Sequence, residues 1–258
     1  MGEGPSVPIN SVKRSYLILD ELRMRGRAGT TELADALELP KSTVHNHLLT
    51  LAKLGYLVGE EGSYRLGARY LHLGQESRNS RAVFRHGRDA AETLAEQSEK
   101  YCQLAIEENG DVAVIQSTQW VPDNGTRPSQ QPYPMRAHLH TNALGKAILA
   151  HLPPERITEI IDRRGLTAQT ELTVTDEDTL RTEIETIRDR GYAVDRGELI
   201  RGMVGVAAPI VTDQTVHGAV AAYGAGNEME EALDEGLPDL VTETADDIRA
   251  DIVFARPD

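Results

Sequence analysis

Apolar positions recur at helical spacing near the start of the chain. Val12, Tyr16, Leu17, Leu19 and Leu22 share one face of SVKRSYLILDELRMRG, and Gly26 stops the run. Arg27-Ala28-Gly29 reads as a short turn. Thr30 or Thr31 then caps a second helix through LADAL, with Glu32 in its first turn. Glu38-Leu39-Pro40 breaks the chain again, and Pro40 suits the first position of a third helix, where a missing N–H costs nothing. In that helix, KSTVHNHLLTLAKLG, Val44, Leu48, Leu51 and Leu54 form the apolar face and Gly55 ends it. GYLVGEEGSYRLG follows as two short apolar stretches around Glu60-Glu61-Gly62, the pattern of a hairpin or wing.

Beyond Gly67 the pattern changes scale. Ala68 to Arg81 continues helically with Tyr70, Leu71 and Leu73, and Ala82 to Lys100 is a second amphipathic stretch. YCQLAIEENGDVAVIQS gives two strands around an Asn109-Gly110-Asp111 turn. Trp120 to Pro134 is rich in Pro, Gly, Ser and Gln and has the composition of a loop or lid. Helices are predicted at Asn142–His151, Glu155–Arg164 and Asp176–Arg190, the last capped by Thr175 or Asp176 and stopped by Gly191. Strands follow at Tyr192–Asp195, Met203–Val211 and His217–Tyr223, and Glu230–Phe254 closes the chain as one acidic amphipathic helix. The expected class is α/β of the α+β kind. The expected division is a flexible tail over 1–10, a helix-turn-helix domain with a wing over 11–67, a linker helix over 68–82 and a sensor domain around one sheet over 83–258.

Charge sharpens the first domain. The chain carries a formal charge of −14, yet residues 1–67 hold eight basic and eight acidic groups, so the whole excess lies beyond them. Lys41, Ser42, Thr43, His45, Asn46 and Thr50 fall on the polar side of the third helix, and none is acidic. A merely solvated face in so acidic a protein would carry Glu or Asp. Ser, Thr, Asn and Lys donate to phosphates, and Asn can pair with adenine in two places. Lys13, Arg14, Arg27, Lys53 and Arg65 are candidates for flanking phosphates. Two short helices, a break and a third helix with a polar start describe a reader of double-stranded DNA. An acidic surface on a chain with only five lysines suits solubility in concentrated salt, as in a halophile, or an ordinary acidic cytoplasmic protein.

Three stretches resemble a known family in its own order. LPKSTVHNHLLTLAKLGYL with YRLG resembles the DNA-binding domain of IclR-type transcription regulators, LHTNALGKAILAHLP the helix beside their effector pocket, and GYAVDRGELIRGMVGVAAPI the signature around their pocket strands. The resemblance runs from about Ser11 to Phe254 and implies a winged helix-turn-helix joined by a helix to a GAF-like effector domain. It further implies homodimers or dimers of dimers on palindromic operators, controlling a catabolic or metabolic operon in response to a small, acidic organic effector. Matched position by position, Ala143, Leu144 and Asp195 would face the ligand. Where the family often has a cysteine this chain has Gly205, and in place of two serines it has Ala221 and Tyr223. Those departures tell against glyoxylate or pyruvate and imply a roomier, less polar site for a sugar acid or aromatic acid, with Arg196 or Arg201 as counter-charge. Asn46 stands where the family frequently has arginine, so the operator sequence is not inherited.

Other chemistry finds little support. His45, His47, His138, His140 and His151 lack a cysteine or carboxylate cluster in sequence, so no metal is expected. Cys102 is alone and reads as a small core residue. No phosphate-loop spacing, nucleophile–base pair or apolar run of about 20 residues occurs, so neither cofactor, enzyme nor membrane span is expected. MGEGPSVPIN is not a signal peptide, which makes the cytoplasm the expected compartment. The alternatives are a second domain that only joins copies and, further off, an enzyme fused to a DNA reader.

Overall fold

The computed structural model describes residues 7–119, 134–213 and 215–255. It divides into two compact units, one ending at Ser77 and one beginning at Arg78. In the first, α1 (Asn10–Arg25), α2 (Thr30–Ala36) and α3 (Lys41–Lys53) surround a core of Ile18, Leu22, Leu33, Val44, Leu48 and Leu57. A hairpin of β2 (Leu57–Glu60) and β3 (Ser63–Leu66) forms the wing. Its turn residues Glu61 and Gly62 have φ of 50° and 82°, the two positive values a type I′ turn needs.

Several local expectations are corrected here. Ala28 and Gly29 form a short strand, β1, against Tyr64 and Ser63 rather than a free turn. That pairing moves the start of α2 back, so Gly29 and not Thr30 or Thr31 is its N-cap, and Glu32 accepts the Gly29 N–H at 2.7 Å. Pro40 is the N-cap of α3 and Lys41 its first helical residue. On α1 the buried stripe is Ile18 and Leu22, one turn apart. Val12, Tyr16 and Leu17 point outward, 49%, 65% and 41% exposed, because only one narrow face of α1 meets the core. Leu54 is likewise exposed, at the C-cap where α3 ends.

The chain passes along α4 (Arg69–Asn79) into the second unit, which opens with α5 (Ala82–Ser98). A six-stranded antiparallel sheet follows in the order β6-β5-β4-β9-β8-β7. Its strands are β4 (Tyr101–Glu108), β5 (Asp111–Gln119), β6 (Arg136–His138), β7 (Ala193–Arg196), β8 (Met203–Thr212) and β9 (Thr215–Ala225). Asn109 and Gly110 turn β4 into β5 with φ of 56° and 85°. α6 (Ala143–His151), α7 (Pro154–Arg164) and α8 (Glu177–Arg190) bury one side of the sheet through Leu144, Ile148, Ile160 and Ile184. α5 and α10 (Leu237–Phe254) bury the other through Leu94, Val241 and Ile248. Helices over both faces of a central sheet give a three-layer arrangement.

The C-terminal segment differs from the single helix expected over Glu230–Phe254. It is two, α9 (Gly226–Asp234) and α10, because Gly236 takes φ 100° between them and Pro238 occupies the first turn of α10. The candidate lid, Trp120 to Pro134, lies outside the described residues except for Pro134. Among the described residues no helix is long and apolar enough to cross a membrane.

Candidate nucleic-acid interface and effector pocket

α3 turns Val44 and Leu48 into the core, and helical geometry then leaves Lys41, Ser42, His45, Asn46 and Thr50 exposed, with Thr43 half-buried. Thr50 Oγ1 donates to the Asn46 carbonyl at 2.7 Å, one turn back, which fixes its hydroxyl on the helix. A second tie comes from α1, where Ser15 Oγ lies 2.8 Å from His47 Nδ1. Lys53 and Arg14 are exposed and Lys13 is half-buried. Arg27 and Arg65 are not free: they bind the two oxygens of Glu60 on the wing, at 2.8 and 3.0 Å. Sequence reading missed that fork because Arg27 and Arg65 meet Glu60 only once β1 and β2 flank β3.

In the second unit one row of residues crosses four strands. Asp195 on β7 is opposite Gly205 on β8, Gly205 opposite Tyr223 on β9, and Tyr223 opposite Tyr101 on β4. Ala221 follows two positions before Tyr223, on the same face, under Ala143 and Leu144 of α6. The expected roomier site is absent at this row. A Cβ on Gly205 would lie 2.1 Å from Tyr223 Cε1 and 2.3 Å from Cδ1, so the tyrosine ring takes the volume a side chain there would need. Tyr223 is 1% exposed, and its phenol oxygen accepts the Leu144 N–H at 3.3 Å. That N–H is in the first turn of α6, where backbone donors have no helical partner. The expected counter-charges are also elsewhere: Arg196 pairs with Glu230 at 2.8 Å and Arg201 with Glu171 at 2.5 Å, all four exposed.

Next to this row lies a buried charge cluster. Lys146, fully buried in α6, donates to Glu183 of α8 at 2.7 Å and to Glu198 at 2.5 Å. The Glu198 N–H in turn donates to Asp195 Oδ1 at 2.7 Å. Burial pushes the Asp195 carboxyl up to about 7. The Glu198 N–H and the Lys146 charge oppose that rise, and the Glu198 charge adds to it. Glu198 is also held above the usual carboxylate range, first by burial. A signal for this cluster was present in LGKAILA, because a lysine surrounded by apolar helix residues must find carboxylates inside.

The remaining candidates disperse. His138 and His140 stack at 5.8 Å, and His140 Nε2 lies 3.2 Å from the Thr167 carbonyl. His45 is on α3, His47 is tied to Ser15, and His151 Nδ1 lies 3.1 Å from the Ala147 carbonyl. Among the described residues no three His, Cys, Asp or Glu side chains gather as a metal site would. Cys102 is fully buried, which pushes its thiol up to about 12.

Comparison with known proteins agrees across both units. Residues 11–61 match the IclR helix-turn-helix domain and residues 76–250 the C-terminal domain of bacterial IclR transcriptional regulators. The chain is 30% identical over 240 residues to the "Probable HTH-type transcriptional regulator ArcR" of Halobacterium salinarum, covering 92% of this chain and 91% of that one. It is 30% identical over 205 residues to the transcriptional repressor IclR of Escherichia coli, covering 78% and 74%. Among solved structures, Thermotoga maritima IclR superposes with a TM-score of 0.78 at 22% identity, over 95% of this chain and 99% of that one. An IclR homologue of Microbacterium hydrocarbonoxydans, complexed with 4-hydroxybenzoate, gives 0.78 at 24% identity over 95% and 100%.

Proposed function

The chain belongs to the IclR family of DNA-binding transcription regulators, and from that premise we propose that it binds a palindromic operator as a homodimer and answers a small organic effector. α3 of each copy enters a major groove, with Lys41, Ser42, His45 and Asn46 toward the bases or their phosphates and Lys13, Arg14 and Lys53 on the flanking backbone. Arg27 and Arg65 join the backbone contacts when they exchange Glu60 for phosphate. The observation that carries this reading is the exposed, acid-free face of α3 in a chain of charge −14. The outward-facing Val12 and Tyr16 of α1 support a dimer. The protein works in the cytoplasm, and its acidic surface suits concentrated salt.

The family resemblance supports an effector on the side of the sheet beneath α6, with Ala143, Leu144, Asp195, Gly205, Ala221 and Tyr223 as its candidate contacts. That Tyr223 already fills this place favours a second reading, in which the unit from Arg78 onward holds no ligand and only joins copies. Footprinting on the protein's own promoter and neighbouring operons, in the salt of its source, tests the DNA reading. A protected palindrome that weakens on Asn46→Ala is the expected result. No protected site in any of them sinks it.

A further inference from the structure

A cleft of about 260 Å³ opens at the β6 edge of the sheet, and no residue of the Tyr223 row lines it. Its walls include Arg136, Ala137 and His138 of β6, Asp111 of β5, Gln169 between α7 and α8, and Leu199 between β7 and β8. The two loops are fastened to each other. Thr170 Oγ1 donates to the Gly197 carbonyl at 2.7 Å, and Thr173 Oγ1 donates to the Glu198 carbonyl at 2.6 Å. The cleft is therefore preformed, concave and part apolar, as small-molecule sites are. Its volume is below the roughly 300–1,000 Å³ of drug-sized sites, so its occupant is compact.

Charge on this wall is unevenly matched. Arg136 and Arg164 both bind Asp111 Oδ2, at 3.2 and 2.9 Å, so two guanidinium groups share one carboxylate oxygen. Arg136 is half exposed and lines the cleft, whereas Arg164 holds Asp111 without lining it. Both bonds of Arg136, to Asp111 and to the Glu108 carbonyl, leave from Nη2, and a guanidinium has five N–H donors. If Arg136 turned to an anion, Arg164 would still neutralise Asp111. We infer that this cleft seats the effector, and that the effector is a small monocarboxylic acid whose carboxylate takes the fork of Arg136. Its apolar body lies on Ala137 and Leu199. This rests on the effector reading given above and moves the seat from the Tyr223 row to the sheet edge. A carboxylate matches a guanidinium in two parallel N–H···O bonds. A dianion is disfavoured, because Asp111 lies 3.2 Å from the same guanidinium.

The test titrates potassium benzoate into the full chain at constant ionic strength, read by ligand-observed NMR. Benzoate should bind with a millimolar dissociation constant, and benzamide, its neutral isostere, more weakly by about tenfold or more. Arg136→Gln should weaken benzoate by about tenfold or more, and Arg136→Lys by less, since lysine keeps the charge and loses the fork. Ala137→Leu fills the cleft without altering its charge and should weaken benzoate as well. Arg88→Gln, which removes an exposed arginine on α5, should leave binding unchanged.

No benzoate binding, or equal binding by Arg136→Gln, overturns the seat, and so does an equal loss in Arg88→Gln. Wild-type binding by Ala137→Leu puts the anion on the arginine alone and overturns the cleft. Benzamide or inorganic phosphate matching benzoate overturns the monocarboxylate class. Operator binding by the wild type is measured in parallel, with and without benzoate. Benzoate that fills the cleft but leaves operator affinity unchanged overturns its role as effector. A protein that binds its operator but fails the benzoate tests loses the seat and keeps the regulator reading. One that binds benzoate through Arg136 but protects no operator keeps the cleft as a ligand site and loses the regulator reading.

Discussion

Asp195 offers the most quantitative check on the buried cluster. Free in an unfolded chain it would give up its proton near 3.8, whereas folded it keeps it to about 7. Between those values the folded state binds a proton that the unfolded state lacks, so stability is full at the acid end and declines as pH rises to about 7. The difference of about three units corresponds to something on the order of 4 kcal/mol. Asn keeps an oxygen for the Glu198 N–H but cannot ionise. Asp195→Asn should therefore match the wild type near pH 4 and exceed it by a few kcal/mol at pH 8.

Other groups in the neighbourhood act differently or equally in both proteins. Glu198, raised by the same burial, pulls in the same direction. His140 and His151 are held below their usual value by burial, so the stability they cost at acid pH is recovered as pH rises to about 6.5, and they remain in the variant. The difference between the two proteins thus isolates Asp195 and its coupling to Glu198. Urea unfolding from pH 4 to pH 8 measures it. Parallel pH profiles for wild type and Asp195→Asn would refute the reasoning, because they would mean that Asp195 ionises in the fold as readily as in water.

Four shorter predictions concern other parts of the molecule. Glu60→Gln should release Arg27 and Arg65 for phosphates, tighten operator binding and steepen its salt dependence by up to about two counterions; anisotropy titrations at several salt concentrations would show an unchanged slope if the fork is irrelevant to DNA. Gly145→Ala places a methyl 2.2 Å from the Leu139 carbonyl oxygen and should cost about 1–3 kcal/mol or more, with calorimetry as the measure and a neutral result as the contrary outcome. Tyr223→Phe keeps the ring and frees the Leu144 N–H, so a loss of about 0.5–1.5 kcal/mol in chemical unfolding is expected and no loss would deny that contact. Cys102, buried with its thiol pushed up to about 12, should resist a thiol reagent until the protein unfolds; rapid labelling of native protein would contradict its placement.

What the amino-acid order revealed depended on distance along the chain. Glu61-Gly62, Asn109-Gly110, the Asp176 cap and the Gly191 stop each act within a few residues, and each could be read directly. The polar face of α3 was legible for the same reason, since helical spacing alone separates it from Val44 and Leu48. Contacts made across the fold were not. Arg27 and Arg65 read as free cations until strand pairing placed Glu60 beside both. Tyr223 stands 79 residues from the Leu144 N–H it accepts, and Lys146 stands 52 from Glu198.

Gly205 and Tyr223 show how such distance misleads. Taken singly, a glycine in place of a larger residue means lost volume and predicts a more spacious pocket. Paired across β8 and β9 they are one exchange of volume, because the ring gained at 223 occupies what was given up at 205. Close packing requires that a hollow made by one substitution be refilled or paid for in stability. A departure from a family pattern in a pocket therefore has to be read together with its cross-strand partner before any ligand is inferred from it. For this chain the pair leaves a filled sheet face under α6 rather than an enlarged one.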